Sequence, residues 1–271
     1  MKKIDILGVQ VDALHKDEFL DQINSYLIPS EKKLRLLATT YSEFIVAAQK
    51  DEEFRKILNS ADINTADGIG ILWAASFLNR KVPNKSSVFF EFLVSAFETA
   101  FEQINIKDVI PEKISGADII WNICELALRN DKSVFLLGGH GDVASPLKVR
   151  FPELKIAGRE ESNPSDEGLV DKINSSGADI LLVAFDPVKQ YKWLWENKDR
   201  LNVRLAAGLG GTFDYLTGKR KRAPQFFQRL GLEWLYRLIT QPWRIKRMWN
   251  AIYVFSRIVL KEKYRQMKNP T

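Results

Sequence analysis

The sequence predicts an α/β protein: a mostly parallel, Rossmann-like sheet with helices on both faces, followed by a basic helical appendage. Two observations support this. Short apolar runs alternate along the chain with segments whose apolar residues recur at helical spacing, which is typical of parallel strands joined by helices. The last fifth of the chain shows helical patterns alone and carries an excess of positive charge.

Five apolar runs are expected to form strands that are buried on both faces of the sheet. They are residues 34–38, 61–65, 133–137, 179–184 and 203–207. Six segments with helical periodicity lie among them, at 43–58, 69–78, 117–129, 144–150, 167–175 and 189–200. Ligands of such folds bind beyond the carboxyl ends of the strands, so the loops that follow the strands are the candidate site.

Two segments interrupt this alternation. Residues 85–112 contain a phenylalanine-rich helical pattern at 88–104, which either packs on the core or lies at an interface. From Gln225 onward only helical patterns follow, in two stretches separated at Pro242. We therefore predict an α/β core over residues 1–218, with 85–112 as an inserted helical segment, and a helical appendage over 219–271.

Charge is distributed unevenly along the chain. Residues 219–271 hold 14 of the 40 Lys and Arg residues but only two of the 34 Asp and Glu residues. The appendage therefore carries a net charge of +12, whereas the remaining 218 residues carry −6. Such asymmetry indicates an anionic partner, for which nucleic acid, a membrane surface and a merely solvated helix face are the alternatives. Interleaved Trp, Tyr, Lys and Arg favour the membrane surface.

Other features narrow the class of protein. The single cysteine, Cys124, lies in an apolar helical pattern, which predicts a buried thiol and a reducing compartment. With two histidines and no Asp-x-Asp pair, we expect no metal site and no Ser-His-Asp triad. The amino terminus lacks the apolar run of a signal peptide, and no stretch is long enough to span a bilayer.

Polar and glycine-rich loops follow four of the predicted strands. Asp67, after the second strand, is either a general base or the N-cap of the next helix. The turn at Gly138 and Gly139 is either a phosphate cradle or a plain tight turn. Because residues 185–193 and 208–214 also follow strands, we expect one crevice at this edge of the sheet.

The ordered motifs resemble those of the WecG/TagA/CpsF glycosyltransferases, glycosyltransferase family 26. The resemblance covers nearly the whole chain. Its specific parts are Thr39 and Glu43, Asp67-Gly-Ile-Gly, Gly116-Ala-Asp, Leu136-Leu-Gly-Gly, Gly210-Gly-Thr-Phe-Asp through Arg222-Ala-Pro, and Gly231-Leu-Glu-Trp-Leu-Tyr-Arg-Leu.

The resemblance implies an inverting transferase that needs neither metal nor cofactor. Its expected donor is a UDP-sugar, with N-acetylmannosamine or its uronic acid favoured, and its acceptor is a polyprenyl-diphosphate-linked sugar in cell-surface polysaccharide synthesis. The appendage would meet an anionic membrane on the cytoplasmic face of the plasma membrane. We expect no nucleic-acid partner, and a homo-oligomer stays open.

The resemblance also implies site residues by position. Asp67 matches the catalytic base, and Thr39 is its neighbour in the site. The implied donor-binding residues are Gly68, Lys113, Gly138, Gly139, Gln190, Gly210, Gly211, Thr212 and Asp214. The implied contacts of the acceptor diphosphate and membrane are Arg220, Arg222, Arg237, Arg244 and Arg247.

Tyr41 and Tyr191 depart from the family pattern, in which Asn and Glu are usual. These departures leave a second interpretation open. In it the chain is a catalytically altered member of the same fold that binds a membrane or nucleic acid.

Overall fold

The computed structural model describes residues 1–101, 106–229 and 232–268. Its strands are β1 (Lys3–Ile6), β2 (Val9–Asp12), β3 (Arg35–Thr40), β4 (Ile63–Ala66), β5 (Ser133–Gly138), β6 (Lys155–Glu160), β7 (Ile180–Ala184) and β8 (Leu205–Gly208). Six of them form one sheet in the order β4-β3-β8-β7-β5-β6, with every neighbouring pair parallel. The predicted parallel sheet is therefore confirmed.

Helices connect these strands. They are α1 (Lys16–Leu27), α2 (Ser42–Ala48), α3 (Glu52–Asn59), α4 (Ile69–Asn79), α5 (Val88–Phe101), α6 (Gly116–Arg129), α7 (Ala144–Arg150), α8 (Leu169–Ser175), α9 (Pro187–Glu196), α10 (Thr212–Leu216), α11 (Gln225–Arg229), α12 (Glu233–Thr240), α13 (Ile245–Trp249) and α14 (Phe255–Gln266). Helices α1, α6 and α7 cover one face of the sheet, and α2, α3, α4, α8 and α9 cover the other.

The strands are apolar throughout because both faces of the sheet are buried. In β7, Leu181 and Val183 belong to one buried cluster, whereas Ile180 and Leu182 belong to the cluster on the opposite face. Side chains alternate between faces along a strand, so a strand covered on both sides needs an apolar residue at every position. This is why the central strands stand out in the sequence.

The structure differs from the predicted elements in four places. Strand β6 was missed, and β1 pairs with β2 in an antiparallel hairpin outside the main sheet. The helix predicted over 43–58 is two helices, because the Asp51 side chain accepts a hydrogen bond from the Phe54 backbone and caps a new helix, α3. A π-helical turn, Asn250–Val254, separates α13 from α14.

The end of the appendage packs on the core. Phe255 and Val259 of α14 are buried in the same cluster as α4, and the Phe255 ring lies 6.2 Å from that of Trp73. The Lys263 ammonium is also buried and donates hydrogen bonds to the carbonyls of Leu78 and Arg80, at the end of α4. Helix α14 therefore runs alongside α4 in the same direction, and its first turn lies near the carboxyl edge of the sheet.

Candidate active site

Three side-chain oxygens from three strand ends border one small space. A methyl group built on Gly116 would lie 3.5 Å from Thr212 Oγ1 and 3.6 Å from both Asp67 Oδ2 and Thr39 Oγ1. Thr39 lies near the end of β3, Asp67 directly follows β4, and Thr212 follows the glycine turn after β8. The fold thus brings together the two residues implied as catalytic and one implied to bind the donor.

Asp67 points toward helix α6 rather than capping α4. Gly68 is the N-cap of α4, with a φ of +113° that disfavours any side chain. Asp67 Oδ2 accepts a hydrogen bond of 3.2 Å from the backbone nitrogen of Gly116, the first residue of α6. The N-cap alternative for Asp67 is therefore wrong. Because a helix amino terminus carries partial positive charge, this contact favours a charged carboxylate.

The Tyr191 side chain binds the backbone of Thr39. Its buried hydroxyl accepts a 3.1 Å hydrogen bond from the Thr39 nitrogen and donates a 3.0 Å hydrogen bond to the Gly208 carbonyl. Burial raises the pKa of Tyr191 to about 12, so the phenol keeps its proton. Tyr191, which departs from the family pattern, is thus a buried link between β3 and β8, next to the cluster of Thr39, Asp67 and Thr212.

Gln190 supports the turn after β8. Its side chain is 2% exposed, and its Oε1 accepts a 3.1 Å hydrogen bond from the Gly210 nitrogen. A Cβ at Gly208 would lie 2.7 Å from Gln190 Nε2, so a larger residue at 208 would displace this amide. Gln190 therefore shapes the turn that carries Gly210 and Gly211.

The glycine turn after β5 lies next to Thr212. Gly138 and Gly139 have φ values of +79° and +69°, and a Cβ on Gly139 would lie 2.9 Å from the ring of Phe213. Glycine is therefore required both by the backbone conformation and by the close approach. Since Phe213 follows Thr212 in sequence, the two glycine turns lie close to each other.

Arg159 is a residue at this edge that sequence reasoning missed. Its guanidinium donates hydrogen bonds to the carbonyls of Gly138 and Gly139, at 2.8 and 3.4 Å. Desolvation lowers its pKa, while the nearby Glu161 opposes that shift. Glu161 also accepts a 2.6 Å hydrogen bond from the Gly141 nitrogen. Arg159 lies in the segment 155–160, which forms strand β6 but is not predicted as a strand from the sequence.

Two of the cations implied to bind substrate lie in a network between the core and the appendage. Arg222 makes a two-point ion pair with Asp118, at 2.7 and 2.9 Å, and Lys113 Nζ lies 3.1 Å from Glu233. Burial raises the pKa of Asp118, but the hydrogen bond and charge of Arg222 outweigh it and hold this pKa below its usual value. These contacts join α6 to the appendage.

Two further arginines of the implied set also pair with acids. Arg220 lies 3.1 Å from Asp214, and Arg247 binds the Glu43 carboxylate at two points, 3.0 and 3.1 Å. Arg247 also donates a 3.4 Å hydrogen bond to the Tyr41 hydroxyl. Tyr41, the other residue that departs from the family pattern, therefore lies beside the appendage. The side chains of Arg237 and Arg244 lie outside the described part of the chain.

We call the side-chain oxygens of Thr39, Asp67 and Thr212 the three-oxygen cluster. A shallow cavity of about 190 Å³ adjoins it. It lies between α6 and α10, and its lining includes Thr212 and Arg222. A second depression near Trp193 and Arg200 is on another part of the surface and contains none of the predicted site residues.

Three further observations concern the described residues. They contain no group of three or more His, Cys, Asp or Glu side chains placed to hold a metal ion. Cys124 is buried, as predicted, and burial raises the pKa of its thiol to about 12. In these parts of the chain, every helix is too short or too polar to cross a bilayer.

A carboxylate and two hydroxyls at the ends of three adjacent parallel strands, β4, β3 and β8, beside glycine turns, are the arrangement of an α/β enzyme of the group-transfer type. The sequence profile described as "Glycosyl transferase WecG/TagA/CpsF family" matches residues 4–106 and 99–269. The chain belongs to this family.

Three similar proteins share one name, N-acetylglucosaminyldiphosphoundecaprenol N-acetyl-beta-D-mannosaminyltransferase. The protein from Bacillus subtilis (strain 168) is 30% identical over 249 residues, which cover 90% of this chain and 86% of the relative. The proteins from Staphylococcus aureus strains MRSA252 and NCTC 8325 / PS 47 are each 24% identical over 271 residues, covering 98% of this chain and 95% of theirs.

Proposed function

We propose that this protein transfers N-acetylmannosamine from UDP to N-acetylglucosamine on a polyprenyl diphosphate, as a step in cell-surface polysaccharide synthesis. The names of the relatives support the acceptor and the sugar, since all three describe this transfer. The alignments span nearly the full length of both partners, so the whole core and appendage share this ancestry.

The observation that carries the proposal is the convergence of Thr39, Asp67 and Thr212 on the space beside Gly116. A sugar hydroxyl is a weak nucleophile at neutral pH and needs a base within hydrogen-bond reach. The Asp67 carboxylate, held by the Gly116 nitrogen, would accept that proton as the hydroxyl attacks the anomeric carbon. In this proposal the two threonine hydroxyls orient the reacting groups. A single displacement of this kind inverts the anomeric centre.

Negative charge develops on the leaving diphosphate, and this crevice has cations to meet it. Arg220 Nη1 lies 3.5 Å from the position of a Cβ on Gly211, and Arg159 lies against the turn at Gly138 and Gly139. Preorganised donors of this sort stabilise developing charge in a partly enclosed site. The binding of the UDP diphosphate between these two glycine turns is therefore part of the proposal.

The appendage would hold this site against the cytoplasmic face of the membrane. Trp243, Trp249 and Tyr253 are exposed, and Arg247 ties the segment that carries them to Glu43 at the start of α2. Exposed Trp and Tyr interleaved with Lys and Arg are characteristic of segments at an anionic lipid surface. A lipid-linked acceptor requires such an arrangement, because its diphosphate stays at the bilayer surface.

Transfer can be measured directly. The purified full chain is incubated with N-acetylglucosamine-diphosphoundecaprenol in vesicles and, in separate reactions, with UDP-N-acetylmannosamine, its uronic acid form, UDP-N-acetylglucosamine and UDP-glucose. Mass spectrometry of the lipid fraction reports the product. We expect a mass increase of one N-acetylhexosamine from UDP-N-acetylmannosamine and little or none from UDP-glucose.

Reactions without acceptor provide the control for hydrolysis of the donor. If every donor leaves the lipid acceptor unchanged, the transferase proposal fails. The interpretation as a catalytically altered member of the same fold would then be favoured. The structure gives that interpretation no support at Tyr191, which is buried beneath the candidate site and serves as a link between strands.

A further inference from the structure

Helix α5, the inserted helix, presents an apolar stripe to the outside. Phe89, Phe90, Leu93 and Phe97 are exposed to 53%, 65%, 50% and 60%. Positions 89, 93 and 97 are spaced at four-residue intervals and therefore lie on one side of the helix. Scattered exposed apolar residues are ordinary, but a stripe of three phenylalanines and a leucine on one helix marks an interaction surface.

The charged residues of α5 are turned away from this stripe. Its sequence contains two ionisable residues, Glu91 and Glu98, and both pair with Arg80 at the end of α4. The Glu91 carboxylate lies 3.3 Å from the guanidinium. As a result the stripe carries no charge of its own, unlike the outer face of an ordinary surface helix.

The orientation of α5 is fixed by its inner face. The Phe92 ring packs edge-on against Trp73 at 5.6 Å and against Phe77 at 5.7 Å. The Trp73 indole nitrogen donates a 3.1 Å hydrogen bond to the Ser95 hydroxyl, which is buried. Rolling the helix to bury Phe90 and Leu93 would break these contacts, so the stripe is a stable feature of the folded chain.

Exposed cations lie on the two elements that adjoin α5. Lys81 and Lys85 are exposed in the segment that leads into α5. Helix α14 packs against α5, and its exposed residues Arg257, Lys261 and Arg265 follow one another at four-residue intervals along one side. We take these exposed cations, on the elements next to α5, as the cationic border of its apolar stripe.

We propose that α5 is a second membrane-contact element, whose stripe enters the boundary between headgroups and acyl chains of an anionic bilayer. The proposal rests on the proposed function, because the lipid-linked acceptor brings the protein to that bilayer. A helix with an apolar face and basic neighbours suits this boundary, where the apolar face penetrates about 5–10 Å. The basic border meets anionic headgroups at the same time.

The same charges disfavour a second copy of this chain as the occupant. Two copies joined through parallel α5 helices would bring Lys81 and Lys85 of one molecule near those of the other. Like charges in an interface repel. An anionic lipid surface satisfies both parts of this face.

The position of α5 can be tested with an environment-sensitive fluorophore. A Leu93→Cys variant is labelled with NBD, since the native Cys124 is fully buried and shielded from the reagent. Vesicles containing phosphatidylglycerol should shift the emission to shorter wavelength, whereas pure phosphatidylcholine vesicles should have a much smaller effect. The matched control is Val149→Cys, at an 83% exposed position on α7, on the opposite face of the sheet, and its emission should stay unchanged.

Charge substitution gives an independent measurement. In a Phe90→Glu, Leu93→Glu double variant, we expect partitioning onto anionic vesicles to fall about tenfold or more, because two apolar side chains no longer enter the bilayer. Val149→Glu should leave partitioning unchanged. The double variant should still process a short-chain, water-soluble acceptor at the normal rate, which also shows that it folds.

Two outcomes overturn the proposal. One is NBD emission at position 93 that does not shift when anionic vesicles are added, although the chain binds these vesicles. The other is a shift that depends on protein concentration without vesicles, which indicates contact between copies. Failure of the proposed function looks different, because the unmodified chain would then glycosylate neither the short-chain nor the vesicle-bound acceptor.

Discussion

The Tyr191 hydroxyl links the ends of two central strands, lying 3.1 Å from the Thr39 nitrogen and 3.0 Å from the Gly208 oxygen. Thr39 is near the end of β3, and Gly208 ends β8. The two strands pair through residues 35–37 of β3 and 205–207 of β8. The link therefore spans the place where these strands lead into the candidate site. Because the phenol is fully buried, water cannot replace it when it is removed.

A Tyr191→Phe variant removes this link and keeps the ring. The ring still packs edge-on against Phe44, 5.5 Å away, but a buried backbone N–H and a carbonyl lose their partner. We expect the free energy of unfolding to fall by about 1–3 kcal/mol, the usual result of leaving buried polar groups unsatisfied. Urea denaturation followed by circular dichroism measures the change.

Activity separates positioning from bulk stability in that variant. If Thr39 must be held accurately, kcat should fall at a temperature where the variant is fully folded, with little change in KM for the donor. Unchanged stability together with unchanged kcat would show that the link contributes nothing. The control is Tyr26→Phe, since Tyr26 lies on α1, away from the three-oxygen cluster.

A Gly116→Ala variant fills the space beside the three oxygens. The added methyl would lie 3.5–3.6 Å from them, an ordinary contact that the fold can accept. Gly116 is helical, so alanine there should leave stability equal or raise it by about 0.4–1 kcal/mol. Transfer should nevertheless fall by about a hundredfold or more, because the methyl occupies the position of a reacting group.

Thermal unfolding and single-turnover kinetics together check this prediction. A loss of stability would mean that the methyl is strained, and the kinetic result would then carry no information about the site. Normal turnover by a stable variant would show that substrate does not use the space beside Gly116.

The sheet was predictable because its central strands are buried on both faces. Strand β7 is wholly buried, so its five residues form an uninterrupted apolar run. The edge strand β6 is only partly buried and contains Lys155, Arg159 and Glu160, so it lacks both an apolar run and regular alternation. No element is therefore predicted there, and Arg159 is absent from the predicted site.

The candidate site was predictable in part for a related reason. Thr39 lies near the end of a strand, Asp67 and Thr212 follow strands, and the ends of parallel strands meet at one edge of a sheet. The ion pairs of the appendage could not be predicted in this way. Arg247 and Glu43 are 204 positions apart, and Arg222 and Asp118 are 104 apart, so no local spacing indicates that they meet.

The ion pair of Asp118 with Arg222 predicts a dependence of stability on pH. The pKa of Asp118 is lower in the folded chain than its usual value, so the folded state binds this proton less readily than the unfolded state. The pair therefore stabilises the fold at pH values above about 4, the usual pKa of Asp. That contribution declines as the pH falls through the lower, folded-state value.

An Asp118→Asn variant should accordingly be less stable than the native chain at pH 7, with a difference that shrinks as the pH falls from 5 toward 3. Urea midpoints measured across this range provide the test. Asp171→Asn, on the exposed side of α8, is the control for loss of a surface carboxylate. A difference that stays constant with pH would contradict the assignment of the stabilisation to this pair.

The role of Asp67 as the base is tested most directly by Asp67→Asn. Asparagine has the same shape, and its carbonyl oxygen can still accept the hydrogen bond from the Gly116 nitrogen, so the fold and donor binding should persist. The amide cannot take up the proton of the attacking hydroxyl, and we expect kcat to fall by about 10²–10⁴-fold, the usual contribution of a general base. Calorimetry with UDP should give a dissociation constant close to that of the native chain, and Asp171→Asn should leave kcat unchanged. Near-normal turnover in the variant, or loss of UDP binding together with turnover, would remove Asp67 from the role of base.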